Sequence, residues 1–222
     1  MRIADNAILG PGQKRLLEAF AGSPLAGSYY LSGGTALAAF HLGHRRSDDL
    51  DFFTEGAVPL EAVLGFLRGL GMGVPDYQHL FDRRIFLLPD APGGALKVEF
   101  TRYPFSRREA GLKVDGVTVD SLRDILANKL LALTERSEPK DFVDLYCGTR
   151  APGTPAIGRL VEDAERKFGV HGVRHMLRAR FLAPVPPLDG LDMRTPLDAA
   201  EVGRFFNETA RRWVRESLDE GA

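Results

Sequence analysis

The stretch L-S-G-G-T-A-L-A-A-F-H-L-G-H-R-R-S-D-D-L-D-F-F, residues 31–53, decides the fold of this chain. Gly33 and Gly34 lie between a short aromatic strand pattern, Ser28 to Ser32, and a helical pattern, Thr35 to His41. Glycines at such a turn let backbone N–H groups and the start of the helix approach phosphate oxygens. The pair therefore indicates a phosphate cradle, although an ordinary tight turn between strand and helix has the same sequence.

Two carboxylates follow on the next predicted strand, which runs from Asp49 to Thr54. Alternate residues of a strand point to the same face, so Asp49 and Asp51 project together while Leu50 and Phe52 face the core. Such a pair can bridge two divalent ions about 3.5 to 4 Å apart, as phosphoryl transfer requires, and Mg²⁺ prefers these oxygens. The alternative is an exposed strand end with solvated acids.

A third carboxylate, Glu99, falls within another predicted strand, Leu96 to Thr101. If this strand neighbours the one that carries the aspartates, Glu99 joins their cluster. It can then complete the metal site or accept the proton of an attacking hydroxyl. The alternative is that Glu99 forms a cross-strand ion pair with Lys97 or Arg102, and the sequence favours neither role over the other.

The rest of the chain predicts an α/β (α+β) protein, with a mixed sheet and flanking helices followed by a helical region. We expect a core over residues 1–120 and a helical domain over 121–222 that completes a nucleotide cleft. A Pro-rich connector is expected from Pro184 to Pro196. The remaining predicted helices are Gly12 to Phe20, Leu60 to Leu70, 122–133, one opened by Ser137 and Pro139, Ala156 to Phe168, Val170 to Arg180 and Ala199 to Leu218; a further strand is Arg84 to Leu88.

Composition describes a folded protein without a strong overall charge. The 222 residues are 44% hydrophobic and carry a formal net charge of -1, so any surface that binds nucleic acid must be local. The single cysteine, the absence of a signal-peptide pattern and the lack of a long apolar run predict a cytoplasmic protein without a membrane partner.

The glycine pair and the Asp-Leu-Asp strand together resemble the DNA polymerase beta type nucleotidyltransferase fold. The fuller pattern, G-G-T-A-L with R-x-S-x-D-L-D-F (residues 45–52), resembles the AbiEii and MenT group of nucleotidyltransferase toxins. A second block agrees with that family: N-K-L-L-A-L-T-E-R, residues 128–136, followed by K-D-F-V-D-L, residues 140–145. The family carries a lysine, then an arginine, then a basic-Asp-x-x-Asp group in this order.

The resemblance implies a Mg²⁺-dependent enzyme, with two ions, that transfers NMP from an NTP to an acceptor hydroxyl. Lys129 and Arg136 lie seven residues apart on one helix face and would neutralise the triphosphate, while Asp141 or Asp144 would hold Lys129, a base or a ribose. Without the first motif, these four residues would be ordinary helix salt bridges. The implied catalytic residues are Asp49, Asp51, Glu99, Lys129, Asp141 and Asp144; the nucleotide-binding residues are Gly33, Gly34, Thr35, Ser47, Lys129 and Arg136; the metal ligands are Asp49, Asp51 and Glu99.

The acceptor implied by the family is RNA such as tRNA, in a toxin with a cognate antitoxin protein as partner. Two other functions remain open: a small-molecule nucleotidyltransferase of the aminoglycoside-modifying type, and a nucleotide-binding partner protein without turnover. RNA would need a basic face, for which Arg159 to Arg180 and Arg204 to Arg215 are the best-supplied segments. Charge runs of this kind are more often solvated helix faces.

Overall fold

The computed structural model describes residues 2–73 and 75–219. The chain divides into two compact units, Met1–Ser121 and Leu122–Ala222. The first contains a mixed sheet with helices, and the second contains helices. The protein therefore has the α+β fold that the sequence predicts.

The described residues of the first unit form one seven-stranded sheet in the order β3-β4-β5-β2-β1-β7-β6. Pairing is antiparallel for β1 with β2, β3 with β4, β4 with β5 and β6 with β7; it is parallel for β2 with β5 and β1 with β7. The strands are β1 (Tyr30–Ser32), β2 (Leu50–Thr54), β3 (Asp76–Leu80), β4 (Arg83–Leu88), β5 (Leu96–Arg102), β6 (Leu112–Val114) and β7 (Val117–Val119); the helices are α1 (Pro11–Ala21), α2 (Gly33–Leu37) and α3 (Leu60–Gly69).

Strand β2 lies in the middle of the sheet and separates a core face from a site face. Its buried residues alternate with half-exposed ones, and Phe52 packs between Phe20 of α1 and Phe100 of β5, at ring-centroid distances of 4.3 and 5.0 Å. This aromatic core agrees with the prediction that Leu50 and Phe52 face inward. The other face of β2 is consequently left for Asp51 and Phe53.

The strand register places the acids of the motif at one level of the sheet. Ser32 pairs with Asp51 across the antiparallel β1–β2 ladder, and Asp51 pairs with Glu99 across the parallel β2–β5 ladder. The strand that carries Glu99 is therefore a direct neighbour of the strand that carries Asp51, which is the condition that the sequence left open.

Several boundaries differ from the prediction for local reasons. Strand β2 begins at Leu50, so Asp49 lies just before it. The helix after the glycines begins at Gly33 and continues as a π-helical turn over Ala38–Leu42. Strands β3, β6 and β7 were not predicted: every residue of β3 is exposed, which removes the alternation signal, while β6 and β7 have three residues each.

The second unit is helical, as predicted from the apolar spacing after residue 121. Its core includes the fully buried rings of Phe142, Phe181, Phe206 and Trp213. None of the helices in the described part of the chain has the length and apolar composition needed to cross a membrane. The helices are α4 (Leu122–Glu135), α5 (Pro139–Gly148), α6 (Ile157–Phe168), α7 (Val173–Leu182) and α8 (Ala199–Asp219).

Candidate active site

The two glycines are required by the close approach of other motif residues. Gly33 has φ +71, and a Cβ at this position would lie 2.1 Å from Oδ2 of Asp51. A Cβ on Gly34 would lie 2.7 Å from Nη2 of Arg45 and 2.8 Å from Oγ of Ser47. Since real Cβ atoms do not approach other atoms so closely, the G-G pair allows the R-x-S-x-D-L-D segment to pack directly on the turn.

The loop that leads into β2 is fixed by hydrogen bonds from two buried side chains. Oγ1 of Thr35 donates to the carbonyl oxygens of Asp49 and Ser47, the latter at 3.1 Å. Nε2 of Gln13 donates to the carbonyl oxygens of Ser47 and Asp48 at 2.8 and 3.0 Å. The backbone of Asp49 is therefore fixed although this residue lies outside the strand. Sequence reasoning missed Gln13, which faces inward from α1, and Thr35 is fully buried as part of this loop support.

Each of two acids on the site face is paired with a half-exposed cation. Nζ of Lys97 lies 2.8 Å from Oδ2 of Asp49, and the two side chains are 40% and 36% exposed. Nε and Nη2 of Arg83 donate to the two oxygens of Glu99 at 2.5 and 2.6 Å, and the arginine side chain is 45% exposed. Oγ1 of Thr101 donates to the same glutamate at 3.0 Å.

The negative charge of the site raises the pKa values of Lys97 and Arg83. Burial would lower the pKa of Lys97, but its hydrogen bond to Asp49 and the charges of Asp49, Asp51 and Glu99 raise it above the ordinary value. The hydrogen bond from Arg83 to Glu99 raises the pKa of the guanidinium, and Asp51 adds to this effect. Both cations therefore experience the combined field of the acids.

The structure corrects one detail of the ion pairs considered for Glu99. Its partner is Arg83, rather than Lys97 or Arg102, while Lys97 pairs with Asp49. Sequence reasoning missed Arg83 because the predicted strand began one residue later. A bidentate arginine occupies both oxygens of Glu99, so in this state the glutamate has less capacity for a further ligand than Asp49.

Asp49 and Asp51 suit a Mg²⁺ ion by their chemistry. Mg²⁺ is commonly bound by one or two carboxylates together with substrate phosphates and water, and does not need a complete protein cage. Residues 2–73 and 75–219 contain no group of three or more His, Cys, Asp or Glu side chains arranged to hold a metal ion. Two carboxylates are nevertheless enough for a Mg²⁺ site that substrate phosphates and water would complete.

A second cluster of predicted site residues lies in the helical unit, between α4 and α5. Nζ of Lys129 lies 2.6 Å from Oδ1 of Asp141 and 2.8 Å from Oδ2 of Asp144. Arg136 donates from Nε to Oδ2 of Asp141 at 2.7 Å. The lysine side chain is 9% exposed and both aspartates are fully buried. The structure thus brings these four residues together.

The ion pairs of this second cluster overcome the cost of burial. Burial alone would lower the pKa of Lys129, but the charges of Asp144 and Asp141 raise it above its ordinary value. Burial would likewise raise the pKa of Asp141, but Lys129 and Arg136 hold it below its ordinary value. Lys129 and Asp141 are therefore both charged near neutral pH.

Many cations of the predicted basic segments are engaged with acids. Arg159 and Arg166 lie 3.1 and 3.8 Å from Oε2 of Glu162, and Arg174 pairs with Glu216. Lys167 forms a buried ion pair with Asp124, at 2.7 Å. This pairing reduces the charge that the segment Arg159 to Arg180 can offer to RNA.

The fold is similar to that of solved structures that include a nucleotidyltransferase toxin. JHP933 from Helicobacter pylori matches 95% of this chain and 91% of its own, with a TM-score of 0.57 and 18% identity. MenT4, a nucleotidyltransferase toxin from Mycobacterium tuberculosis H37Rv, also matches 95% of this chain and 91% of its own, with a TM-score of 0.52 and 15% identity. At these identities the likeness establishes the fold.

The sequence establishes the family. The model of the family described as "Nucleotidyl transferase AbiEii toxin, Type IV TA system" matches residues 15–217, so the chain belongs to the AbiEii nucleotidyltransferase toxin family. An uncharacterised protein of Aquifex aeolicus is 32% identical over 151 residues, which cover 64% of this chain and 67% of the relative. The resemblance seen in the two sequence blocks is confirmed, and the protein is a nucleotidyltransferase.

Proposed function

We propose that this nucleotidyltransferase uses Mg²⁺ to transfer NMP from an NTP to an acceptor hydroxyl, with release of pyrophosphate. The observation that carries the proposal is Asp51 packed against Gly33 of the glycine turn, with Asp49 two residues earlier and paired with the half-exposed Lys97. When bound, Mg²⁺ supplies positive charge that neutralises the phosphates and makes the acceptor hydroxyl easier to deprotonate.

The first unit would contribute the metal ligands and part of the nucleotide site. Asp49 and Asp51 are the proposed ligands, and Glu99 is the proposed third acid, available once Arg83 is released. Gly33, Gly34 and Ser47 would receive phosphate oxygens at the turn. Thr35 would act indirectly, because its hydroxyl holds the backbone of Asp49 in place.

The second unit would contribute cationic groups for the triphosphate. We propose that Lys129 and Arg136 provide this charge and that Asp141 and Asp144 hold Lys129 in one orientation. Two hydrogen-bonded carboxylates fix an otherwise flexible ammonium group, which is the arrangement expected when a cation must be preorganised.

We further propose that the enzyme is the toxin of a toxin-antitoxin system, acts in the cytoplasm on RNA such as tRNA, and has a cognate antitoxin. Family membership supports the toxin role. A small-molecule acceptor is the competing function, and the ion-paired arginines of α6 favour it over an extensive RNA surface.

Label transfer tests the proposal. The protein is incubated with each α-labelled NTP, Mg²⁺ and total RNA, with parallel reactions that contain EDTA or Asp51→Asn protein. We expect label in tRNA only in the complete reaction. Label in a small molecule of a cell extract would identify the competing function, and no Mg²⁺-dependent transfer from any NTP would contradict the proposal.

A further inference from the structure

A cavity of about 350 Å³ opens at the opposite end of β1 and β2 from the acids. Its walls come from the start of β1, the end of β2, strand β7 and the segment after β5. Its lining includes Tyr29, Tyr30, Glu55 and Arg107.

The hydroxyl of Tyr30, a residue that lines this cavity, is buried and lacks a hydrogen-bond partner. Tyr30 is 5% exposed, and its hydroxyl oxygen has no partner within the described ranges, 2–73 and 75–219. Tyr29 is a separate case, because its ring packs against Phe100 on the core face of the sheet, at a centroid distance of 5.3 Å. A buried hydroxyl without a partner destabilises the folded protein. Such groups usually find a partner in water or in a ligand, so the cavity calls for a polar occupant.

The hydroxyl of Tyr30 carries its proton under physiological conditions. Burial, and after it the charge of Asp120, raises the pKa of Tyr30 well above its ordinary value. This hydroxyl can therefore donate a hydrogen bond as well as accept one.

Aromatic rings and an arginine make the surroundings suitable for a flat, polar group. The guanidinium of Arg107 lies 4.6 Å from the centroid of the Tyr30 ring. The ring centroid of Tyr30 lies 6.0 Å from that of Phe53, and the ring centroid of Phe53 lies 4.6 Å from that of Tyr103. Rings and guanidinium planes of this kind are the surfaces on which proteins stack nucleobases.

The cavity lies close to the proposed metal ligands along one face of the sheet. Tyr30 pairs with Phe53, while Ser32 pairs with Asp51 two residues earlier on β2. Two residues of a strand span about 6.6 Å, so the aromatic side chains of Tyr30 and Phe53 begin about that distance from Asp51, on the same face of the sheet. The ribose of a nucleotide with its phosphate at Asp51 can bridge this step.

We propose that this cavity is a nucleobase subsite, in which Tyr30 and Arg107 recognise the base of a nucleotide whose phosphate lies at the carboxylates. The subsite rests on the proposed function, because that function places a nucleotide at Asp51. The carboxylate of Glu55 disfavours a phosphate in the cavity and can accept hydrogen bonds from an exocyclic amino group. The base belongs either to the NTP or to the last nucleotide of an RNA acceptor.

Binding measurements on Tyr30→Phe and Arg107→Met test the subsite, with Tyr77→Phe and Arg108→Met as matched controls. Tyr30→Phe removes only a buried hydroxyl without a partner, so the variant should unfold at the wild-type temperature or above it. The ligands are non-hydrolysable NTPs, inorganic triphosphate, and single-stranded RNA with a normal or an abasic 3′ end. Calorimetry or fluorescence anisotropy gives each affinity.

We expect both test variants, and neither control, to lose about five-fold or more in affinity for the ligand that carries the base, since a lost hydrogen bond is worth about 1 kcal/mol. Loss for NTPs with unchanged triphosphate binding assigns the base to the NTP. Loss for normal but not abasic RNA assigns it to the acceptor.

Unchanged affinity for NTPs and for RNA in both variants would overturn the subsite and leave a water-filled cavity. Failure to bind any nucleotide or RNA would also overturn it. Nucleotide binding that depends on Tyr30 and Arg107, in a protein that transfers nothing, would support the subsite and contradict only the proposed reaction.

Discussion

The two ion clusters of this protein contain the same kinds of side chain in opposite environments. On the sheet, Asp49 is paired with Lys97, and both side chains are more than one third exposed. In the helical unit, Lys129 is 9% exposed and lies between fully buried Asp141 and Asp144. The sheet cluster is therefore open to water and dissolved ions through Asp49 and Lys97. In the helical cluster Lys129 and the two aspartates are shielded, and Arg136, with its side chain 50% exposed, reaches the solvent.

This difference sets the energy needed to separate each pair. An exposed ion pair contributes about 0 to 1 kcal/mol, so a divalent cation or a substrate can replace Lys97 easily. Removal of one partner from a buried pair costs about 3 to 5 kcal/mol because a charge is left uncompensated. We infer that the sheet cluster is the part that changes partners during turnover and the helical cluster is the part that stays fixed.

The largest expected effect is the loss of transfer when an acid of the sheet cluster is neutralised. Asp51→Asn keeps the shape that packs on Gly33 but removes the charge, so we expect transfer to fall by at least about a hundred-fold with unfolding unchanged. Incorporation of labelled NMP measures this. Asp48→Asn, at the exposed neighbouring residue, is the control, and more than about a tenth of wild-type activity in both Asp49→Asn and Asp51→Asn would refute the metal assignment.

The second largest expected effect is a loss of stability when the helical cluster, Lys129, Arg136, Asp141 and Asp144, loses its lysine. Lys129→Met leaves Asp141 and Asp144 without their shared ammonium, so the free energy of unfolding should fall by about 3 to 5 kcal/mol. Denaturant unfolding measures the loss, with half-exposed Lys140→Met as control. The folded fraction should also bind a non-hydrolysable NTP more weakly than Asp141→Ala or Glu99→Ala protein does; unchanged NTP affinity would limit Lys129 to a structural role.

The pH dependence of stability should also reveal the buried ion pairs of the helical cluster. The pKa of Asp141 lies below its ordinary value of 3.8, so its stabilising contribution is complete above that pH and is lost as the pH falls through the folded-state pKa. The pKa of Lys129 lies above 10.5, so its contribution is lost as the pH rises through the folded-state value. Melting temperatures against pH should show both losses in the wild type and smaller ones in Lys129→Met. Identical profiles would contradict the buried-pair interpretation.

The smallest effect concerns the exposed cation of the sheet cluster. Lys97→Met should change the free energy of unfolding by no more than about 1 kcal/mol, because its ion pair is half-exposed. Loss of a competing ammonium should make added Mg²⁺ more stabilising than in the wild type. Thermal shifts with and without Mg²⁺ measure this, with exposed Lys113→Met as control, and a smaller Mg²⁺ shift in Lys97→Met would indicate that the lysine assists binding.

The sequence predicted the turn and the strands that carry the candidate site better than it predicted the periphery of the sheet. The G-G and D-L-D spacing is local, so the contact of Gly33 with Asp51 follows from one short stretch of chain. Gln13 was missed because its role depends on a tertiary contact with Ser47 and Asp48. Arg83 lay one residue outside the predicted strand, and its ion pair with Glu99 also depends on the pairing of β4 with β5. The β6–β7 hairpin had a detectable signal in Asp115-Gly116, since both residues have positive φ and this dipeptide favours a tight hairpin turn.

A crystal structure with Mg²⁺ and a non-hydrolysable NTP would test the exchange of partners at the sheet cluster most directly. We expect a metal ion bound by Asp49 and Asp51, with the ammonium of Lys97 released from Asp49, while Lys129 keeps its contacts with Asp141 and Asp144. A bound nucleotide in a complex that retains the Lys97–Asp49 pair and has no metal at either aspartate would contradict it.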